Sequence, residues 1–378
     1  MQPTFQEVTL AYLDCRRHKR STEAAMHFEN HLAGNLRRLH GELCDGSYRI
    51  GPSRCFVVLH PKPREVWAGA FRDRIVHHLA YNRLSPKAYR TFSADSCACI
   101  PGRGTLYGAN RLGGHIRSAT KNWSKRVYYL KMDLSNFFVS IHKPTLANLL
   151  EPLFEDDFTR DLARQILFHD PTRSVEIRSP RWKMNRVPRH KSLFNAPHGC
   201  GLAIGNLPSQ FEANVYLNLL DQLVNHRLKP AGYIRYVDDF ILLHEDRDWL
   251  LSAQAQIEAF LWQRLRLQAN PRKTVINTCE RGVDFVGQVI KPWHRVARST
   301  LYPAAKRAIR QAPDDTTRCA SANSYLGILG QTASYRQRVA LCETAAAYGH
   351  PVDPERRKVL AEQKPAATQP APALGSRQ

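Results

Sequence analysis

The chain has 378 residues, 43% of them apolar, and its 55 Lys and Arg exceed its 33 Asp and Glu to give a formal net charge of +22. This length and apolar content exclude disorder of the whole chain and allow two or three lobes with separate cores. No apolar run approaches the ~20 residues of a membrane span, and the N-terminus lacks a signal-peptide layout, so we expect no membrane association and a cytoplasmic location. The basic surplus favours a polyanionic partner, although a basic ribosomal or membrane-surface protein would share it.

The cysteines argue against two kinds of site. Nine are present, an odd number, and none forms a C-x-x-C pair. A zinc site or a disulfide framework is therefore not expected, and reduced thiols fit a cytoplasmic protein.

The first part of the chain shows alternating helix and strand patterns. Residues 1–45 have helical patterning that closes at Gly46, and residues 55–60 and 64–68 have strand patterning around a Pro-containing turn. The segment 71–84 has a helical pattern, which we expect Pro86 to end.

The second part begins with a segment of a different kind. Residues 171–198 are rich in Pro, Arg and Lys without a regular period, which predicts an exposed basic loop or hairpin. In chain order, the segments that follow are a helix in 201–228 started by Pro208-Ser209, an amphipathic helix at 247–267, a strand pair at 283–290, basic helices in 300–349, and a Pro- and Ala-rich tail from Lys364 that we expect to be disordered.

Acidic residues interrupt two apolar strand patterns. Asp238 and Asp239 lie in GYIRYVDDFILL (232–243), and Asp133 lies in YYLKMDLSNFFVSI (128–141). An Asp-Asp pair can be an ordinary turn, because Asp side chains bond nearby backbone. In an apolar strand, however, an unpaired charge costs several kcal/mol, which a bound cation would offset. Carboxylate-rich ligation suits magnesium.

The motifs around these acids resemble those of a reverse transcriptase from about residue 48 to residue 340. Tyr236-Val237-Asp238-Asp239 matches the Y-x-D-D box, and Asp133 with Phe138 matches the D-x-x-x-x-aromatic box. In chain order, the other matching segments are KPREVWAGAFRDRIVHH (62–78), PGRGTLYGA (101–109), IGNLPSQ (204–210), NPRKT (270–274) and DFVGQ (284–288).

This resemblance implies an α+β right-hand polymerase fold with fingers, palm and thumb, in which a small antiparallel palm sheet packs on helices. The implied division is N-terminal segment and fingers at 1–127, first palm part at 128–150, basic insertion in the fingers at 151–200, second palm part with primer grip at 201–290, helical thumb at 291–350 and disordered tail at 351–378.

The resemblance also implies an RNA-directed DNA polymerase, a nucleotidyltransferase that uses two Mg²⁺ ions, with Mn²⁺ as a substitute in vitro. Asp133 and Asp238 would bridge the ions, Asp239 would support them, and the Leu134 carbonyl would be a further ligand. Lys273 would protonate the leaving pyrophosphate. The alternative interpretation is that Lys273 is an ordinary lysine at the edge of a strand.

Further roles carry over to nucleotide, template and primer. Phe138 would exclude a 2′-hydroxyl, unless it is simply a core residue. Each of the four cations in the fingers segment could instead be a solvated surface charge. The loop at 102–104, which would contact the template, could instead be a structural turn. The predicted set is Lys62, Arg64, Arg72, Arg74, Phe138 and Gln210 for the nucleotide, Ile204, Gly205 and Arg103 for template and fidelity, and Phe285, Val286 and Gly287 for the primer grip.

The segment between the acidic boxes points to one subclass. Most bacterial relatives carry Q-G-x-x-x-S-P there, whereas Ile204 and Gln210 in this chain resemble the reverse transcriptases of diversity-generating retroelements. These bacterial or phage enzymes copy a template-repeat RNA with adenine-biased errors, and the cDNA replaces part of a target gene, a process called mutagenic retrohoming. The implied partners are dNTPs, the template RNA with its structured spacer, the RNA–cDNA hybrid, and a basic, oligomeric accessory variability determinant protein.

Two other interpretations stay open from the sequence. One is a reverse transcriptase of a retron or a phage-defence system. The other is a non-catalytic RNA-binding scaffold that keeps the hand-shaped fold, against which the intact Asp133, Asp238 and Asp239 argue.

Overall fold

The computed structural model describes residues 1–17, 22–60, 62–353, 355 and 358–359. The chain divides into two compact units, Met1–Asn277 and Thr278–Gln378. Within the described ranges, no helix has both the length and the apolar character that a membrane crossing requires. The predicted α+β class is confirmed, whereas the finer division into fingers, palm and thumb stays a prediction.

The helices of the first unit begin and end with recognisable local signals. Thr4 and Glu7 form a reciprocal capping box at the first helix, and the Asp246 side chain accepts from Asp248 N at the last. In chain order, the α-helices are α1 (Phe5–Arg16), α2 (Glu23–Glu29), α3 (Leu32–Cys44), α4 (Phe71–Tyr89), α5 (Thr105–Ala119), α6 (Phe137–Ser140), α7 (Lys143–Leu150), α8 (Asp157–Phe168), α9 (Arg181–Met184), α10 (Leu207–Gln222) and α11 (Arg247–Leu265).

One predicted helix boundary is wrong. Pro86 lies inside α4, which continues to Tyr89. Leu84 and Ala88, on either side of Pro86, are buried. Packing of these side chains offsets the backbone hydrogen bond that proline cannot donate.

The described residues of the first unit form two sheets. A three-stranded sheet has the order β2-β1-β4, and a four-stranded sheet has the order β5-β6-β3-β7. Strand β6 pairs antiparallel with both β3 and β5, and β1 pairs antiparallel with β2. The strands of this unit are β1 (Ser53–Val58), β2 (Arg64–Ala68), β3 (Tyr128–Asp133), β4 (Val175–Ile177), β5 (Gly232–Tyr236), β6 (Asp239–His244) and β7 (Val275–Thr278).

The basic segment 171–198 is more ordered than its composition predicts. It contributes β4, which pairs in parallel with β1, and the short helix α9. The hairpin alternative is therefore wrong, because the partner of β4 is a strand far away in the sequence.

The largest core lies against one face of the four-stranded sheet. Leu130 and Met132 of β3, with Phe240 of β6, are fully buried in it. Helices α10 and α11 contribute apolar side chains to the same core. Because side chains alternate between the faces of a strand, Lys131 and Asp133 of β3 project from the opposite face. The packing of the core thus fixes the face from which Lys131 and Asp133 project. A separate apolar core joins α1, α3 and α4.

The second unit combines a small sheet with helices. Strands β8 (Val283–Phe285), β9 (Gln288–Lys291) and β10 (His294–Ala297) form an antiparallel sheet in the order β10-β9-β8. Helices α12 (Leu301–Arg310), α13 (Asp315–Leu329) and α14 (Tyr335–Ala346) pack around a core of their own. The predicted strand pair and basic helices are confirmed. The predicted tail at 351–378 lies almost entirely outside the described residues. Two of its described residues, Val352 and Val359, form an isolated antiparallel bridge.

Candidate active site

Three aspartates meet at one end of the four-stranded sheet. Tyr236 pairs with Asp239 across β5 and β6, so Val237 and Asp238 form a two-residue hairpin loop. Asp133, the last residue of β3, lies directly opposite Asp239 on β6. Directly opposed residues of an antiparallel pair share a face of the sheet. The fold therefore brings together the carboxylates of two distant sequence motifs.

The hairpin loop has an unusual backbone conformation. Val237 has a φ of +55°, a region that a β-branched residue rarely adopts. The Leu134 amide donates to the Asp238 carbonyl at 3.2 Å, which ties the loop to the end of β3. The positions of Asp133 and Asp238 are thus linked through the backbone as well as through the sheet.

A cavity of about 120 Å³ opens beside these aspartates. Asp133 and Asp238 line it, whereas Asp239 does not. The cavity also has basic and apolar walls. The basic lining residues are Lys62, Arg64, Lys191 and Lys273, and the other residues lining it are Leu134, Asn136, Phe137, Phe138, Val139, Ile204 and Asn270.

Lysines pair with two of the three carboxylates. Lys273 Nζ lies 2.6 Å from Asp133 Oδ2, and Lys131 Nζ lies 3.2 Å from Asp239 Oδ2. Asp239 Oδ1 is buried and has no hydrogen-bond partner among the described residues. The acidic end of the sheet is therefore only partly neutralised by the protein itself.

Burial and mutual repulsion raise the pKa values of two carboxyls. Burial, followed by the charge of Asp133, raises the pKa of Asp238. Burial also raises the pKa of Asp239 to about 6, with Lys131 opposing the shift. Both aspartates would gain stabilisation as carboxylates from additional positive charge.

The cations of the cavity repel one another. Burial lowers the pKa of Lys191, and the charges of Lys62, Arg64 and Lys273 lower it further. A cluster of this kind favours an anion between its members, and a triphosphate is an anion that Arg and Lys bind well.

The donor set fits an oxygen-ligated divalent cation only in part. Carboxylates facing a common cavity, one neighbouring oxygen without a partner, and raised carboxyl pKa values all favour magnesium. In the described parts of the chain, however, no three His, Cys, Asp or Glu side chains are arranged as one ligand group. Asp133 and Asp238 are thus the pair placed to hold a cation, with Asp239 beside them and engaged by Lys131.

Several predicted nucleotide and fidelity residues reach this cavity. Lys62, Arg64, Phe138 and Ile204 line it, as does Leu134. The Ile204 carbonyl accepts from Trp67 N at 2.7 Å, which fixes the loop before α10. A Cβ at the next residue, Gly205, would lie 2.6 Å from the Trp67 carbonyl oxygen, and Gly205 has a φ of +114°. Only glycine fits there without strain.

The structure does not bring the other predicted cations to the cavity. Arg72 forms an ion pair with Glu42 and lies over the Tyr48 ring at 5.2 Å. Arg72 and Arg74 both line a separate groove beside α2 and α3. Arg103 donates to the Ser93 and Ser96 carbonyls at 2.6 and 2.8 Å, which is a loop-stabilising arrangement.

Gln210 is exposed on the first turn of α10 and does not line the cavity. The predicted primer-grip residues lie in the second unit. Val286 and Gly287, with φ of +44° and +83°, form the tight turn between β8 and β9, and Phe285 is fully buried. These roles stay predictions.

Two lysines of the site were not singled out from the sequence. Lys191 comes from the basic segment 171–198, where no periodicity distinguishes one cation from another. Lys131 lies two residues before Asp133 in β3, and this spacing places both on one face of the strand. The alternation could have identified Lys131, whereas Lys191 required the tertiary structure.

Comparison with known protein families identifies one match. Residues 61–290, more than half of the chain, match the family described as reverse transcriptase (RNA-dependent DNA polymerase). No curated protein sequence matches the chain.

The solved structures that the chain matches include two telomerases. The telomerase of Candida albicans, in complex with a fragment of telomeric RNA, is 13% identical, with 79% of this chain and 56% of that chain covered and a TM-score of 0.48. Apo telomerase of Candida tropicalis, truncated from its C-terminal domain, is 14% identical, with 65% and 55% covered and a TM-score of 0.45. The chain thus spans little more than half of each. On the extent of the family match, this chain belongs to the reverse transcriptase family.

Proposed function

We propose that the protein is an RNA-directed DNA polymerase whose nucleotidyl-transfer site is the cavity lined by Asp133 and Asp238. The observation that carries this proposal is the combination of charges that line the cavity. Two carboxylates, Asp133 and Asp238, line it together with four cations, Lys62, Arg64, Lys191 and Lys273. A nucleoside triphosphate with divalent cations is complementary to both kinds of charge.

The carboxylates are proposed to hold the metal ions. When bound, two Mg²⁺ ions supply activation of the attacking hydroxyl and neutralisation of the leaving pyrophosphate. Asp133 and Asp238 are the proposed ligands, with the Leu134 carbonyl as an additional one. Asp239 has the supporting role, because it lies next to both carboxylates and outside the cavity lining.

Lys273 is proposed to act on the leaving group. Its ammonium lies 2.6 Å from Asp133 Oδ2, so it is already held at the edge of the cavity. From this position the Lys273 ammonium would donate a hydrogen bond, and then a proton, to the leaving pyrophosphate. Lys62 and Arg64 would hold the triphosphate.

Phe138 is proposed to select deoxynucleotides. It lines the cavity and is only partly buried, with its ring centroid 5.3 Å from that of Phe137. An aromatic ring at the sugar would leave no room for a 2′-hydroxyl. The half-buried position supports this role over that of a purely structural core residue.

A primer-extension assay tests the activity. Wild-type protein should extend a DNA primer on an RNA template with Mg²⁺ and dNTPs, and Asp133→Asn should remove the activity without loss of folding. Extension by neither protein would contradict the proposal and favour the non-catalytic scaffold. Equal extension by both proteins would contradict the assignment of this cavity as the nucleotidyl-transfer site.

For the subclass, we propose mutagenic copying of a template-repeat RNA in a diversity-generating retroelement. The support is the Ile204 to Gln210 segment together with the placement of Ile204 in the cavity wall. A branched aliphatic side chain offers no hydrogen bond to a template base, which would relax geometric checking. The proposed partners are the template RNA with its spacer, and a basic accessory protein. The alternative is a retron or phage-defence enzyme.

Sequencing of the cDNA distinguishes the two subclasses. Purified protein, with and without an accessory protein encoded beside it, copies its own template RNA. Errors concentrated at template adenines, and reduced by Ile204→Gln, are expected. A faithful cDNA would contradict the mutagenic subclass while leaving the polymerase activity intact.

A further inference from the structure

A buried ion pair lies beneath the Val237-Asp238 turn. Arg235 of β5 and Asp221 of α10 are 1% and 0% exposed, and their side chains meet at 2.6 Å. Arg235 Nε donates to Asp221 Oδ1 and Nη2 donates to Asp221 Oδ2. The Tyr233 hydroxyl donates to the same carboxylate at 2.7 Å. The two charges thus neutralise each other at a buried position.

Every donor of the Arg235 guanidinium has an acceptor. Besides the two bonds to Asp221, Nη2 donates to Ser96 Oγ at 2.8 Å. Nη1 donates to Asn214 Oδ1 at 3.2 Å and to the Val237 carbonyl at 3.1 Å. A guanidinium has five N–H groups in a fixed planar arrangement, and all five are used here. Arg235 therefore connects α10, the segment before α5 and the turn that carries Asp238.

Stability alone does not explain this pair. A buried ion pair is often no more stabilising than apolar residues of the same volume. What apolar residues cannot supply is the hydrogen bond to the Val237 carbonyl. That carbonyl belongs to the residue with a φ of +55°, and the peptide it forms leads directly to Asp238.

The turn is held from both sides of Asp238. Arg235 binds the carbonyl before Asp238, and the Leu134 amide binds the carbonyl of Asp238 itself at 3.2 Å. These two bonds fix the peptide planes on either side of Asp238, and hence the direction of its side chain. Strained backbone of this kind persists where its surroundings determine it strongly.

We propose that Arg235 is a positioning residue, which holds the strained Val237 turn and thereby directs the Asp238 carboxylate into the cavity. This inference rests on the proposed polymerase function. Lysine cannot replace arginine in this role, because its ammonium has three donors on a flexible stem and cannot reach Asp221, Ser96, Asn214 and Val237 together.

A double-mutant cycle with Val237→Gly tests the proposal. Glycine adopts positive φ without strain, so the turn in that background has less need of Arg235. The variants are Arg235→Lys in the wild-type and Val237→Gly backgrounds, measured by single-nucleotide extension with thermal unfolding of each protein. Since displacement by about 1 Å can cost roughly 100-fold in rate, Arg235→Lys should lower kcat at least about tenfold in the wild-type background.

In the Val237→Gly background, the same exchange should cost less than about threefold, which gives a clear coupling between the two sites. KM for the dNTP should change little in either background. Arg83→Lys is the matched control, because Arg83 also donates to several partners, namely Glu7, Asp156 and Thr159, and does not line the cavity. It should lower the unfolding midpoint and leave kcat unchanged.

A kcat for folded Arg235→Lys within twofold of wild type, or an equal cost in both backgrounds, would overturn the proposal. If Arg235→Lys does not fold, Asp221→Asn replaces it in the same cycle, because it keeps the guanidinium and removes the charge that orients it. Wild-type protein that adds no nucleotide contradicts the proposed function itself, whereas active wild type with an unaffected variant contradicts this inference alone.

Discussion

Two ion pairs of the first unit have similar chemistry and opposite surroundings. In the Lys273–Asp133 pair, the lysine side chain is 47% exposed and the aspartate 13%. In the Arg235–Asp221 pair, both side chains are essentially inaccessible. The first pair borders the cavity, and the second lies beneath the turn that carries Asp238.

The difference shows how one site combines an exchangeable contact with a fixed one. An exposed lysine bonds a carboxylate through a single point contact, which a cation or a phosphate can displace at small cost. A buried arginine with five bonds does not readily exchange partners. Loss of Asp221 would leave a charge unpaired inside the protein, and loss of any other acceptor would leave a buried donor without a hydrogen bond. Bound substrate would therefore rearrange the Lys273–Asp133 pair and leave the Arg235–Asp221 pair unchanged.

Among the variants that test this difference between the two ion pairs, we expect the largest change in kcat from Lys273→Ala. Loss of a general acid typically costs about 10²–10⁴-fold in rate, so Lys273→Ala should lower kcat by roughly 100-fold or more. Single-turnover dNTP incorporation measures it. Because the pair with Asp133 is half exposed, the unfolding midpoint should change little. A large loss of stability with an unchanged rate would show that the pair is structural.

Lys191 should have a smaller effect, and mainly on binding. It lines the cavity with three other cations, and its alanine variant should raise KM for the dNTP about tenfold with a modest change in kcat. Lys183 is the matched control, because it comes from the same basic segment and is not among the residues lining the cavity. Equal effects of Lys183→Ala and Lys191→Ala would indicate non-specific electrostatic attraction of nucleic acid.

Arg72 should have little effect on nucleotide binding, although its motif position suggests otherwise. Its guanidinium is engaged by Glu42 and the Tyr48 ring, away from the cavity. Arg72→Lys should change KM for the dNTP by less than about twofold, whereas Arg64→Lys should raise it several-fold. Steady-state kinetics of the two variants, measured side by side, show whether nucleotide contact follows a residue's place in the sequence motif or its place in the cavity.

Glu212 gives a third case, a buried carboxyl that forms no close ion pair with any residue the structure describes. Burial raises its pKa to about 7 from 4.5, with the charge of Lys143 opposing the shift. The favourable contribution of the protonated carboxyl is complete below pH 4.5 and is lost as the pH rises through 7. Glu212→Gln should remove this loss, on the order of 2 kcal/mol between pH 5 and pH 8. Urea unfolding at both pH values measures it, and parallel pH profiles for the two proteins would contradict the account.

The grouping of Asp133, Asp238 and Asp239 into one site was predicted from the resemblance to reverse transcriptases, since an Asp-Asp pair alone could be an ordinary turn. The placement of these acids within apolar strand patterns follows from local signals. The helix at Leu207 and the strand pair at Val283–Lys291 follow from local signals as well. In these cases the information lies within about ten residues, the range over which periodicity operates.

The remaining features depend on contacts between distant segments. Lys191 reaches the cavity although it lies 58 positions after Asp133 in a stretch without periodicity. In the sequence, Arg235 is one residue of a predicted strand. Its proposed role becomes visible only from its hydrogen bonds to Asp221 and Ser96, which are distant in the sequence. Pro86 lies within α4 because tertiary packing outweighs its local preference. Local propensity contains no information on such long-range contacts.

The most direct test of the central claim is the rate at which one deoxynucleotide is added to a DNA primer on an RNA template. Wild-type protein and Asp238→Asn are compared at equal folded concentration, with Mg²⁺ present. We expect addition by wild type and a rate lowered by about 10³-fold or more in the variant, since the exchange removes a carboxylate that is proposed to hold a metal ion beside the reacting phosphate. Equal rates for the two proteins would contradict the assignment of this cavity as the active site.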